Sequence, residues 1–96
     1  MFIILLKFGE NKSNAGAFMS GHNEWINKHL SDGTFALFGS IVPPQGGAII
    51  AKCETREQID EIVAADPFVV EKVVEPEVIE VKINGVADAI SDYFGD

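Results

Sequence analysis

An α+β domain built on a four-stranded antiparallel sheet is predicted by three observations. Strand-like and helix-like runs follow one another in the order β-α-β-β-α-β. The most apolar stretches, "FIILL" and "AIIA", belong to the first and third strands, and "PPQG" joins the second strand to the third as a hairpin turn would. This order is the split βαβ, or ferredoxin-like, arrangement, in which the first and third strands are central and both helices cover one sheet face. No composition shift or repeat divides the 96 residues, so residues 1–96 read as a single domain, with a core over 1–83 and a helical extension over 84–96.

Each element has its own local justification. Phe2 to Phe8 is apolar almost without interruption, as expected of a strand inside a sheet. "GENKSNAG" reads as a polar loop. From about Ala17, the residues Phe18, His22, Trp25, Ile26, His29 and Leu30 recur at the spacing of one helical face, and Asp32-Gly33 ends the helix. "TFALFGSIV" and "GGAIIAKC" are the hairpin strands, and Gly39-Ser40 within the first suggests a bulge or a close approach by ligand or backbone. Thr55, with Gln58 three residues on, has the capping-box pattern for a second helix whose buried stripe is Ile59, Ile62 and Val63. In the last strand Ile79, Val81 and Ile83 share one side and Glu80 and Lys82 the other, while Pro76 suits an edge or a strand start. Val86, Ile90, Tyr93 and Phe94 then fall near helical spacing, which predicts a short C-terminal helix.

Composition excludes several classes of function. Seven basic against fifteen acidic residues give a net charge of -8, which repels nucleic acid and anionic membrane surfaces. The single cysteine, Cys53, forms no internal disulfide and has no ligand-spaced neighbours, which suits the reducing cytoplasm and argues against structural zinc. "MFIILLKFG" lacks a basic leader and is too short for a membrane span. With both helices on one face, the other sheet face needs a cover, and a homodimer or higher homo-oligomer packing sheet against sheet supplies it.

The candidate chemistry centres on His22, an imidazole on the apolar face of the first helix. Such a group either transfers protons in a pocket or is a core histidine with satisfied nitrogens. His29 lies seven residues on, roughly 10 Å along the axis, too far for the two rings to share a metal; it is expected to be partly exposed near the helix C-terminus. Asp66, in "DPF", has the pattern of an N-cap followed by proline at the first helical position. It also has a second oxygen with which to hold and orient the His22 ring. Trp25 and Phe68 fit core positions as well as pocket walls, and a serine nucleophile at Ser40 lacks a nucleophile elbow around it. The acidic residues Glu54, Glu57, Asp60 and Glu61 read as a solvated helix face.

Taken together, "FIILLKFG", "HNEWINKHLSDG", "FGS", "ETREQIDEIVAADPF" and the last strand resemble the YciI-like, or YCII-related, family. That resemblance implies a dimeric α+β barrel protein with a His-Asp pair facing a pocket, and those roles fall on His22 and Asp66. Characterised members include a dehydrochlorinase acting on a chlorinated hydroxyquinone. Two departures stand out: Gly39-Ser40 occupies a position where many members have Gly-Pro, and Met19 one where many have arginine.

The expectation is therefore a small enzyme needing no cofactor or metal, in which His22 and Asp66 move a proton on a small aromatic or carbonyl compound by elimination or isomerisation. Trp25, Gly39, Ser40 and Phe68 would wall the pocket. The alternative is a homodimer that binds a small molecule or serves structurally, without turnover. Monooxygenase chemistry on a quinol is a third reading.

Overall fold

Strands with one face against helices should alternate in burial, and residues 2–7 of the first strand do so. In the computed structural model, which describes residues 1–94, the chain runs β1 (Phe2–Phe8), α1 (Ala15–Ser31), β2 (Phe35–Ser40), β3 (Gly46–Ala51), α2 (Arg56–Ala64), α3 (Pro67–Val70), β4 (Val74–Glu80) and α4 (Ser91–Phe94). The strands form one antiparallel sheet in the order β2-β3-β1-β4. The fold is thus α+β and ferredoxin-like, with the two most apolar strands at its centre. Gly95 and Asp96, the end of the expected extension, lie outside the described residues.

Phe2, Ile4 and Leu6 of β1 point to the helix side, level with Ala51, Ile49 and Gly47 of β3. They meet Trp25 and Ile26 of α1, Ile59 and Val63 of α2 and Phe68 of α3 in one core. Each fully buried member, such as Ile4, Ile49 or Ile59, contributes about 1.5–3 kcal/mol relative to exposure. On the opposite face the two-residue period places Ile3, Leu5, Leu37, Ile50 and Ile79, of which Leu37 is 55% exposed.

Several local expectations are corrected. A 3₁₀ turn, Lys12–Asn14, occupies the supposed loop, and α1 begins two residues before Ala17. The first turn of α1 has no fully buried residue, so hydrophobic spacing is silent there. Gly39 and Ser40 pair regularly with Ala48 and Gly47; the irregularity lies between Phe35 and Leu37. One extra residue there rephases the strand, so that Phe35 and Phe38, three apart, both face the helices. β4 ends at Glu80, and its core side is carried by Val74 and Val78, which leaves Ile79 on the open face. His29 is buried rather than partly exposed, packed on Trp25 and Phe35.

Thr55 caps α2 by accepting from the Gln58 backbone N–H at 3.1 Å. The reciprocal half of the box is absent, because the Gln58 side-chain oxygen instead accepts from Cys53 Sγ at 3.3 Å. Beyond β4 the chain crosses the end of the sheet. There Tyr93 Oη donates to the carbonyls of Gly33 and Thr34, and Lys52 Nζ donates to the Tyr93 carbonyl at 2.6 Å.

Candidate functional site

Asp66 sits at the N-cap of α3 because Asp-Pro-Phe favours it: an extended residue, then a proline that needs no N–H, then an amide to accept from. Its Oδ1 accepts from the Phe68 backbone N–H at 3.0 Å. The same oxygen lies 2.8 Å from Nδ1 of His22 on α1. One oxygen therefore does both tasks, where the sequence suggested one each, and the buried Oδ2 has no partner among the described residues.

Against an ionised carboxylate, which only accepts, a neutral imidazole carries its proton on Nδ1 and leaves Nε2 as the free nitrogen. Among the described residues Nε2 makes no hydrogen bond and is not one of the buried unpaired atoms, which leaves it accessible. The Phe68 ring stacks on the imidazole at 3.9 Å and 6°. Phe38 stands edge-on at 6.2 Å and Trp25 lies tilted at 6.0 Å. The ring is thus clamped between aromatic surfaces and cannot rotate without breaking its bond to Asp66.

His22 and Phe68 line a cleft of about 260 Å³ between the helix layer and one end of the sheet. Leu6, Phe8 and Val74 contribute from β1 and β4, Phe38 and Ser40 from β2, Gly46 and Gly47 from β3, and Met19 and Asn23 from α1. Among the described residues His22 is the only titratable side chain in this lining, and Asn23 and Ser40 add neutral hydrogen-bonding groups. Since roughly 150 Å³ holds a benzene molecule, the cleft has room for one substituted ring.

The remaining expected pocket residues divide. Phe68 and Ser40 line the cleft; Trp25 and Gly39 do not. Trp25 is in the core, and its indole N–H donates to the Ile62 carbonyl at 2.9 Å, tying α1 to α2. Gly39 falls on the opposite sheet face, where an added Cβ would meet nothing within 4 Å. Sequence reasoning missed Asn23, although it adjoins His22, and Phe38, whose orientation depends on the β2 irregularity. Among the described residues no group of three or more His, Cys, Asp and Glu is placed to hold a metal. The C-terminal segment docks at the other end of the sheet from the cleft. No described helix is long and apolar enough to cross a membrane.

Among solved structures the chain is similar to 5-chloro-2-hydroxyhydroquinone dehydrochlorinase (TftG) from Burkholderia phenoliruptrix AC1100, in its complex with 2,5-dihydroxybenzoquinone. The TM-score is 0.69 over 85% of this chain and 94% of that chain, with 13% sequence identity, a likeness of fold. No protein of curated function matches the sequence. The model of the YCII-related domain matches residues 1–82, from β1 to just past the end of β4. The strands, both helices and the elements that carry His22 and Asp66 all fall within that match, and the chain belongs to the YCII-related domain family.

Proposed function

We propose that this protein is a cofactor-independent enzyme that moves a proton on a small aromatic or carbonyl compound. The observation that carries this reading is the His22–Asp66 hydrogen bond of 2.8 Å, which leaves Nε2 as the available base beside a cleft of ring size. Nε2 takes a proton from a carbon or hydroxyl activated by a carbonyl. The electron pair so released either expels a leaving group such as chloride, giving elimination, or is reprotonated at another carbon, giving isomerisation. Asp66 holds the tautomer and stabilises the imidazolium that forms. Ser40 and Asn23, which line the cleft, would hydrogen-bond ring substituents, and Phe68 braces the imidazole. The similar dehydrochlorinase acts, by its name, on a chlorinated hydroxyhydroquinone, which favours elimination on such rings.

The protein works as a homodimer in the cytoplasm, the apolar sheet face carrying Leu5, Leu37 and Ile50 packing on a second copy. A cleft with a single titratable group also suits the alternative, a dimer that binds a small ring without converting it. A panel of chlorinated and hydroxylated quinols and small carbonyl compounds, followed by chloride release and ultraviolet absorbance, separates the two. Turnover that falls about 10²- to 10⁴-fold in His22→Ala supports the enzyme. Saturable binding with no product supports the binding dimer, and turnover untouched by His22→Ala removes the proton-transfer role.

A further inference from the structure

Two pairs of consecutive residues face each other between α1 and α3. Gly21 precedes His22, and Pro67 follows Asp66. A Cβ built on Gly21 would lie 3.0 Å from Pro67 Cγ, tighter than most real contacts of that kind, and at an ordinary 3.6 Å from Pro67 Cβ. The missing side chain is what lets the proline ring rest on the α1 backbone. Pro67 is the first residue of α3, and its closed ring yields only by puckering. What the pucker does not absorb of an added atom at Gly21 falls on α3 itself.

We infer that Gly21 is a positioning residue for His22, setting the approach of α3 and through it the two contacts that orient the imidazole. Those contacts both come from the start of α3: the Asp66 Oδ1 hydrogen bond at 2.8 Å and the Phe68 stack at 3.9 Å. A displacement of a few tenths of an ångström lengthens the hydrogen bond and opens the stack together. Glycine weakens a helix interior relative to alanine, so at this position helix propensity opposes the residue that close packing requires. Gly16 provides the internal contrast. It lies in the same helix, and an added Cβ there would meet nothing within 4 Å.

Calling the role catalytic rests on the proton-transfer reading, but the positioning itself is testable without substrate. The experiment is NMR of the 15N-labelled His22 imidazole in wild type, Gly16→Ala, Gly21→Ala and Gly21→Ala/Pro67→Ala. Gly16→Ala is expected to keep the wild-type ring signals. Gly21→Ala is expected to move the Nδ1–H resonance upfield and change the ring-current shifts from Phe68, and removal of the proline ring in the double variant to restore both. Gly21→Ala spectra that superimpose on wild type would overturn the inference. If that variant does not fold, the double variant decides: wild-type His22 signals support the inference, and signals that stay displaced, or a double variant that also fails to fold, sink it. The proton-transfer reading fails separately, when His22→Ala leaves turnover intact.

Discussion

Asp66 Oδ1 holds the His22 ring at 2.8 Å and the Phe68 amide at 3.0 Å, so one atom joins the candidate base on α1 to the start of α3. Asp66 is wholly buried, and removing its carboxylate leaves an unmet backbone amide and an unmet imidazole N–H. Loss of a cap costs about 1 kcal/mol, and each buried donor left unpaired roughly 1–3 kcal/mol. Asp66→Ala is therefore expected to lower stability by about 2–4 kcal/mol in urea unfolding. A change below about 0.5 kcal/mol would show that the shared oxygen is not structural.

Asp66→Asn separates charge from geometry. The Phe68 N–H requires an oxygen at the Oδ1 position, which directs the amide group toward Oδ2 and leaves the Asn oxygen facing His22. The His22 ring should keep its Nδ1–H tautomer, read from the nitrogen shifts, while turnover in the proposed proton transfer should fall because the imidazolium has lost its anion. A switch to the Nε2–H tautomer would mean that the amide turns over and that the helix cap yields first.

Gly46 adopts φ +133°, and a Cβ there would lie 1.9 Å from the Leu6 carbonyl oxygen. Both the backbone conformation and the close pairing with β1 require glycine. Strained backbone of this kind costs roughly 1–3 kcal/mol before the clash is counted, so Gly46→Ala is expected to lower stability by at least about 2 kcal/mol. Because Gly46 also lines the cleft, ligand affinity should fall with it. Wild-type stability would contradict the stated register.

Tyr93 fastens the C-terminal segment, and burial, reinforced by the charge of Asp32, raises its phenol above the ordinary value of 10.0. The sign follows: a raised folded value favours docking fully below about pH 10 and loses that contribution as pH rises through the folded value. Asp32 behaves oppositely. Burial pushes it up, but hydrogen bonds from the Thr34 side chain and amide and the nearby His29 outweigh this and hold it below 3.8. Its contribution is present above about pH 4 and fades in acid. Tyr93 is the single tyrosine, so absorbance at 295 nm follows it alone. A midpoint above 10 is expected; a midpoint at or below 10 would contradict the docking geometry.

Leu37 is 55% exposed on the sheet face opposite the helices. In the proposed homodimer that face is buried against a second copy, and a charge there would be desolvated without a partner. Leu37→Glu is expected to halve the mass measured by sedimentation at micromolar concentration while preserving the far-ultraviolet dichroism. A wild-type monomer would remove the dimer outright.

Local chemistry made much of this protein legible in its sequence. The caps at Thr55 and Asp66 act over two or three residues, and the apolar stripes of α1 and α2 are written at the helix period, so spacing alone located them. The central place of β1 and β3 followed from the succession of elements and agreed with their being the most apolar runs. What only the tertiary structure decided depends on approach between distant parts of the chain. His22 and Asp66 are 44 positions apart, and their contact requires α3 to pack on α1. Phe38 reaches the cleft because one extra residue in β2 reverses its side, a register choice made against β3. Gly39 and Trp25 left the cleft for the same reason: the face that a residue presents is set by pairing and packing, whereas its helix or strand period is set by its neighbours in sequence.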